Sequence, residues 1–581
     1  MIGMLDTTKT LIVHVPNIRS VDKNPEICEV RYMAMGLFAM ASLLAKNNIP
    51  VKIINLATEL KNDPDFDLIR YLEENRCQLV AFSLQWAHQL YQTLETARAI
   101  KQAFPDIKVL LGGMTASYYS VKILEEYPFV DFVVKGDGER PLLELVKQLS
   151  LKNPCFEKVS NLVYRHPSRI LENPITYIAH EADMNRLSFS DMELLHHYKG
   201  YLEDLPFNDN GFIPHGFFPL CIGRGCHFNC TFCGGSARSQ YRISGRKKYV
   251  YRNPENVLYD IKKLLGFGIE NFYVCFDPEP NGPYYFHLFE IIRKAHLHIY
   301  MNFGAWGLPT EKFVDAFKQT FQKGIFEISP ESADERIRKK NKDSRLFYSN
   351  KQLEKAMGSI EDENYTCHVY FAHTLPGDSI GSIKKTIQYI ENLQGKFSSK
   401  IYYLTLSSDP GALLQICPEK YDVDYRINHP RDLYEWIHFY NQTQIFDNAV
   451  FHLPQKISNE DFFVQQALYH VWSVISKIYP GTYSILKEKL GVSEILDILE
   501  GDLLRPHYHR VYKNDFDGNI TFLRDSEILQ PDQYSNLLLD LLNRIPESYF
   551  HERQLVQDVL KSSEVPLILR GSTFTQVVEE A

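Results

Sequence analysis

The feature that most limits the fold is an alternation of short apolar runs with longer amphipathic ones, which the chain makes twice. In the first 150 residues, 11–15, 51–56, 79–84, 109–113 and 130–134 read as buried strands, and helical spacing fills the intervals at 33–47, 65–75, 91–104 and 121–126. Strands that alternate with helices imply right-handed crossovers and a parallel, doubly wound sheet of the α/β class. Ligands of such sheets bind outside the carboxyl ends of the strands. The loops beginning at Ser83, Gly112 and Gly136 all belong at that edge. A second series starts at Phe217, with strands expected near 217–222, 271–277, 299–303, 324–329, 366–371 and 401–406. Six such units make a partial barrel, open on one side, with its working residues again at the carboxyl ends.

Between the first two strands of this second series lies Cys226-His-Phe-Asn-Cys230-Thr-Phe-Cys233, followed by Gly234-Gly235-Ser236. Thiolates are the soft ligands of iron–sulfur clusters. Three from one loop can hold three irons of a 4Fe-4S cube and leave the fourth iron open to the amino and carboxylate groups of S-adenosylmethionine (SAM). Phe228 and Phe232 would shield the cluster, and the glycines let backbone approach the bound methionine moiety. A zinc site completed by His227 or Cys221, or a disulfide, is the competing reading of the same thiols.

The C-x3-C-x2-C spacing resembles the radical SAM superfamily, and the resemblance continues in order along residues 10–425. It implies that Cys226, Cys230 and Cys233 are the cluster ligands and that Gly234 and Gly235 lie against SAM. Asp277 or Glu279 in Asp277-Pro-Glu-Pro280 stands where the superfamily has an acidic partner for the SAM ammonium, a strand-end cap being the alternative. Glu331 and Ser332 match the segment that reaches the ribose hydroxyls and carboxylate of SAM, with Pro330 inserted, Glu327 a competing carboxylate and Arg336 a further possible partner. Leu375-Pro-Gly-Asp378 resembles the superfamily's fifth-strand turn, and Asp409-Pro-Gly-Ala with Pro418-Glu-Lys-Tyr421 resembles the tail of the cobalamin-type branch.

The first unit resembles the cobalamin-binding domain of methionine synthase and its relatives. Ser83-Leu84-Gln85 and Gly112-Gly113 stand where that family has Ser-x-Leu and Gly-Gly, and Gly136-Asp-Gly-Glu139-Arg-Pro141 closes the unit as in the radical SAM branch. The family's Asp-x-His-x-x-Gly is absent, and with it the histidine that would coordinate cobalt from below. Gln85 and Trp86 are then implied near the lower cobalt face, and Ser83, Gly112, Gly113, Gly136 and Glu139 around the cofactor. A flavodoxin-like domain with another ligand or none is the alternative.

The expected organisation is a Rossmann-like cobalamin-binding domain at 1–150, a connector at 151–210, a partial (β/α)6 TIM-like barrel at 211–425 and a mainly helical substrate or capping domain at 426–581. In the connector, His196-His197 invites reading as a metal pair, but neighbours on a helix diverge, so surface histidines are expected. In the last domain helices are expected at 430–446, 459–479, 483–489 and 532–542. A hairpin is expected across Asp517-Gly518, with His507, His509 and Arg510 on an exposed strand.

The resemblance implies a cobalamin-dependent radical SAM methyltransferase using a 4Fe-4S cluster, SAM and methylcobalamin. Reductive cleavage of SAM gives a radical that takes hydrogen from an unreactive carbon, and methylcobalamin supplies the methyl group. No protein nucleophile or acid–base pair is assigned, since the chemistry belongs to the cofactors. The Cys-Gly-Gly-Ser ending resembles enzymes that methylate pyrrole or indole rings, so a heteroaromatic carbon of a secondary-metabolite or peptide substrate is preferred. Cyclisation or another rearrangement on the same two cofactors is the second reading, and a non-catalytic cluster- and cobalamin-binding scaffold the third. An external donor such as flavodoxin or ferredoxin is implied.

Composition agrees with a globular, reduced protein. The net charge of -9 gives no basic field for nucleic acid. No apolar run approaches a membrane span and residues 1–10 lack a signal-peptide pattern, so a cytoplasmic location without membrane contact is expected. Apart from the central three, the ten cysteines are scattered, unlike a secreted disulfide framework.

Overall fold

The computed structural model describes residues 9–18, 28–29, 33–203, 205, 216–274, 282–406, 408–443, 452–454, 457–478 and 480–511, together with Leu537, Leu541 and Arg544. Two sheets organise them. The first contains β1 (Thr10–His14), β2 (Val51–Asn55), β3 (Leu79–Ser83), β4 (Lys108–Gly112), β5 (Phe132–Val134), β6 (Leu162–His166) and β7 (Arg169–Glu172), in the order β2-β1-β3-β4-β5-β6-β7. The five strands from β1 to β5 are parallel, and β6 and β7 add an antiparallel hairpin. That hairpin carries the sheet into the stretch the sequence assigns to a connector. All five residues of β1 and of β3 are buried, which is why both read as continuous apolar runs rather than alternating ones.

The order reverses between β1 and β3, the switch point where such sheets open a crevice at their carboxyl ends. Helices α1 (Gly36–Lys46), α2 (Leu56–Asn62), α3 (Leu90–Ala103) and α4 (Glu139–Leu149) cover the sheet. The Asn55 side chain ends β2 and starts α2 by accepting from the amides of Ala57 and Thr58, at 3.1 and 3.4 Å. The short helix α5 (Tyr198–Glu203) lies within the stretch assigned to the connector.

The second sheet is parallel throughout and runs in simple chain order. Its strands are β8 (Phe218–Pro219), β9 (Asn271–Val274), β10 (Tyr300–Ala305), β11 (Gly324–Glu331), β12 (Tyr365–His373) and β13 (Lys400–Thr405). Among the described residues β8 and β13 do not pair, so the barrel stays open as expected. The apolar run at 217–222 contributes only the two residues of β8 to this sheet. Its helices include α6 (Ala237–Ser244), α7 (Glu335–Asn341) and α8 (Ile380–Gln394), the last begun by Ser379 in a reciprocal capping box with Ser382.

One apolar core runs through both sheets, taking in Ile12, Phe38, Phe218, Phe303 and Phe326. The Phe38 and Phe218 rings meet at 6.2 Å across the junction. Behind the barrel Phe303, Phe313, Phe317 and Phe326 interlock, with Phe303–Phe313 at 5.1 Å and Phe317–Phe326 at 4.5 Å. Truncating one such ring to alanine costs about 3–5 kcal/mol.

The last described segments are helical: α9 (Pro430–Thr443), α10 (Asn459–Ile478), α11 (Pro480–Lys489) and α12 (Arg505–Val511). They divide between the sheets. α9 lies on α3, where Tyr434 donates to Glu95 at 2.7 Å. α10 and α11 lie on α8, where Trp472 and Tyr483 converge on Glu391 at 3.3 and 2.7 Å. The strand expected for His507, His509 and Arg510 is replaced by α12, in which His507 is buried and His509 meets Glu460 at 3.3 Å. The hairpin at 517–518 and nearly all of the helix at 532–542 lie outside the described residues. Among those described, no helix is long and apolar enough to cross a membrane.

Candidate functional site

The glycine loops of the first sheet and the cysteine loop of the second face each other across one cavity of about 560 Å³, within the range of roughly 300–1,000 Å³ typical of small-molecule sites. Ser83, Gln85, Trp86, Gly112, Gly113, Gly136 and Glu139 line it from the first side, and Cys233, Gly234 and Gly235 from the second. These residues were singled out in separate stretches of sequence. The fold brings them together.

On the first side backbone makes the wall. Gly113 takes φ 103°, and a Cβ there would lie 2.6 Å from the Leu84 carbonyl oxygen, so only glycine fits without a shift. Gly112, one residue earlier, has nothing within 4 Å of a Cβ and faces open space. Gln85 is used locally, its side-chain oxygen accepting from the Met114 amide at 3.3 Å, while Gln89 accepts from the amides of Gln85 and Trp86 at 3.2 Å each. The 83–89 turn is therefore braced by its own side chains.

On the second side the cysteine loop is pinned from outside. The Thr231 amide donates to the Asn341 carbonyl at 2.9 Å and the Asn229 amide to Asp343 at 3.0 Å, both at the end of α7. The Gly234 amide donates to Asp409 at 3.0 Å, and the Asp409 amide to the Phe232 carbonyl at 3.0 Å. Ser236 caps α6 by accepting from the Ser239 amide. Cys226, Cys230 and Cys233 are free thiols, which removes the disulfide reading.

Burial pushes all three thiols above their ordinary range, Cys226 to about 11, and at Cys230 the Lys342 ammonium opposes the shift. Their sulfurs do not close into a group within 4.8 Å, as ligands of one zinc ion would, with Zn–S of about 2.3 Å. Neither Cys221 nor His227 completes such a group among the described residues. Three thiols spaced more widely than one ion needs, on a braced loop beside a cavity, fit a cluster of several irons.

Glu331 and Ser332 sit elsewhere, at the bulged end of β11, and neither lines the cavity. Glu331 holds φ 65°, unusual for a residue with a side chain. Burial raises its carboxyl, opposed by Lys342 at 3.6 Å, which also stands beside Cys230. Ser332 is buried, its carbonyl accepting from Arg338 and its hydroxyl from the Asp334 amide at 3.1 Å. Glu327 accepts from Tyr273 and Asn302, at 3.0 and 2.8 Å. Arg336 is largely exposed and pairs with Asp334 at 2.9 Å. Asp277 and Glu279 lie outside the described residues.

Sequence reading missed the charged junction between the two sides. Arg224, two residues before Cys226, donates to Asp137 at 2.8 Å and to Glu139 at 2.6 Å. Arg246, beyond α6, also reaches Asp137. Burial works against the charge of Asp137, but the two guanidiniums hold its carboxyl below the usual range. The Glu139 carboxylate is thus engaged by Arg224, which leaves it a wall of the cavity rather than a free ligand. Arg224 and Glu139 are 85 residues apart, and no local spacing announces such a pair. Asp409 was noted only as part of a turn; burial raises its carboxyl, and it lines the cavity beside Cys233.

Comparison with known proteins gives the two sides their names. A family profile described as B12 binding domain matches residues 29–146, and one described as Radical SAM superfamily matches residues 220–390. An anaerobic magnesium-protoporphyrin IX monomethyl ester cyclase of Rubrivivax gelatinosus is 23% identical over 312 residues, covering 51% of this chain and 51% of that protein. A hopanoid C-3 methylase of Methylococcus capsulatus is 24% identical over 241 residues, covering 41% of this chain and 42% of that protein. The chain thus spans about half the length of the curated relatives it matches. Among solved structures, the radical SAM methyltransferase TsrM of Kitasatospora setae, with cobalamin and a [4Fe-4S] cluster bound, aligns at TM-score 0.57 and 14% identity over 77% of this chain and 87% of that one. The cobalamin-dependent SAM radical enzyme OxsB, with aqua-cobalamin bound, aligns at 0.58 and 14% identity over 99% and 83%. At that identity the likeness speaks to the fold, which is the same succession of two sheets. With the B12-binding and radical SAM profiles matched in turn, the chain carries a B12-binding domain followed by a radical SAM domain, and the cofactors these domains imply are cobalamin, a 4Fe-4S cluster and S-adenosylmethionine.

Proposed function

We propose that this chain is a C-methyltransferase that moves a methyl group from SAM, through methylcobalamin, to an unactivated carbon of a small-molecule or peptide-type substrate. The observation that carries this reading is the single cavity bounded on one side by Ser83, Gly112 and Gly113 and on the other by Cys233, Gly234 and Gly235. Two cofactors held at its opposite walls would face the same substrate atom, as group transfer between them requires. When bound, the cluster with SAM would supply hydrogen abstraction from an sp3 carbon and cobalamin the methyl group, which a heteroaromatic acceptor would instead take by polar or ring-radical attack.

The chain's own residues bind, orient and exclude water. Cys226, Cys230 and Cys233 hold the cluster, and Lys342 places a fixed positive charge beside Cys230. Ser83, Gln85, Trp86, Gly112, Gly113 and Gly136 would hold cobalamin, Gln85 and Trp86 from the turn after β3. Gly234 and Gly235 let backbone approach SAM, and Glu331 with Ser332 shapes the far end of its strand. Arg224 and Arg246 clamp the two halves so that the walls keep their spacing. The reducing electron comes from a flavodoxin- or ferredoxin-like donor, in the cytoplasm, with no nucleic acid or membrane as partner. A heteroaromatic carbon is the preferred acceptor, a choice supported by the TsrM structure with tryptophan substrate bound, which aligns at TM-score 0.54.

A second reading, cyclisation or rearrangement on the same cofactors, is favoured by the cyclase among the relatives. The experiment is anaerobic reconstitution, with iron, sulfide and cobalamin quantified, followed by turnover with SAM and heteroaromatic acceptors. About four irons and one cobalamin per chain, with a product heavier by one CH2, are expected. A product of unchanged carbon count would select the rearrangement, and bound cluster without cobalamin would overturn methyl transfer.

A further inference from the structure

Outside the cofactor cavity, one group of metal-ligating side chains is assembled from distant parts of the chain. Glu59, in the first turn of α2, is fully buried at 0% exposure. Among the described residues its ion-pair partners are two histidines rather than a lysine or arginine. His196 Nδ1 lies 3.0 Å from both carboxylate oxygens, and His197 Nδ1 lies 2.6 Å from Oε2. The three ligand atoms all fall within 4.8 Å of one another, the only such trio among the described His, Cys, Asp and Glu side chains.

Both histidines lie at the surface, as expected, but they do not diverge. Both imidazoles reach the same carboxylate because His197 takes φ 48°, just ahead of α5, a backbone state costly for a residue with a side chain. The His196 amide is held by the Ile53 carbonyl at 2.9 Å, which fixes the pair beside the end of β2. None of the three residues lines the cofactor cavity.

We propose that Glu59, His196 and His197 form a site for one divalent cation, zinc by its donor set, which ties the chain ahead of α5 to α2. Two imidazoles and a carboxylate are borderline ligands of the kind zinc takes, whereas calcium and magnesium require oxygens throughout. Each neutral imidazole carries its proton on Nε2 and offers the Nδ1 lone pair, and the carboxylate offsets half the charge of the ion. Zinc bonds of about 2.0–2.2 Å place tetrahedral ligands roughly 3.3 Å apart. The observed 2.6 and 3.0 Å separations reach that by opening about 0.7 and 0.3 Å. The histidine side chains are 33% and 44% exposed, so water completes the fourth position from the solvent side.

The test uses the full chain with its cofactors, exchanged into buffer containing zinc and then freed of loose metal. Zinc, iron and cobalt are counted together, and the zinc K-edge spectrum reports the ligand shell. The expected result is one zinc per chain with only nitrogen and oxygen neighbours. That zinc is lost in His196→Ala/His197→Ala and in Glu59→Gln, which retain iron and cobalt, and is kept in Cys226→Ala/Cys230→Ala/Cys233→Ala, which loses iron. Glu59→Gln keeps the shape of the buried side chain, so a folding failure of the double histidine variant leaves the answer intact. No retained zinc, sulfur in its shell, or loss of zinc with the cysteines would overturn the site and leave a hydrogen-bonded tie.

Discussion

The two walls of the cavity work in opposite ways. The first-sheet wall is made by missing side chains: Gly113 because a Cβ would strike the Leu84 carbonyl, and Gly112 because its Cβ position opens onto free space. The second wall is made by side chains that are present, Cys233 and Asp409, on the loop that also carries Cys226 and Cys230, with Lys342 beside Cys230. Shape is selected on one side and donor chemistry on the other. The Arg224–Asp137–Glu139 junction locks the two together.

That contrast can be broken most directly from the donor side. Cys230→Ala should lose the cluster iron altogether while cobalamin still binds, measured by metal and cobalamin quantification of the same sample. Retained iron would mean that this wall is not defined by its thiols. Next in size is the junction: Arg224→Met strands the buried Glu139 carboxylate, leaves Asp137 with Arg246 alone, and should destabilise the chain by about 3–5 kcal/mol, read from denaturant unfolding. A change near zero would show the halves to be held by the apolar core alone.

The two glycines sharpen the comparison further. Gly113→Ala should cost about 1–3 kcal/mol in stability through its left-handed backbone and close contact. Gly112→Leu should cost under about 0.5 kcal/mol yet weaken cobalamin binding by filling the cavity, a split that titration and unfolding measure separately. Equal stability losses would refute the distinction between a structural and a lining glycine.

The smallest effect concerns pH. Asp343, which holds the Asn229 amide, has its carboxyl lowered to about 2, chiefly by hydrogen bonding from Arg345. Its stabilisation is complete above the unfolded value of about 3.9 and fades as pH falls toward 2. Asp343→Asn should flatten unfolding stability across that interval, by under about 1 kcal/mol after solvent screening. An unchanged acid slope would show that the carboxylate does not brace the cysteine loop.

Much of this was legible in the chain itself, because it rests on short-range rules. Strand–helix alternation read both sheets, since a strand buried on both faces must be apolar along its length. The C-x3-C-x2-C spacing and the glycine pairs announced both cofactor walls, since each lies within a few residues. Reading failed where local rules lose their grip. His507 and His509 were expected on a strand and lie in α12, because a short polar–aromatic run suits either state until tertiary packing decides.

Sequence alone therefore determined the order of the two βα series, the thiol set and the glycine loops, all of which depend on residues near one another in the chain. Only the tertiary structure decided that the two walls share one cavity and that Glu139 serves Arg224. It also decided that two adjacent histidines turn onto a carboxylate 137 residues away. Such pairings depend on where crossovers set remote segments side by side and on the free energy of leaving a buried charge alone. Neither is written in any local pattern.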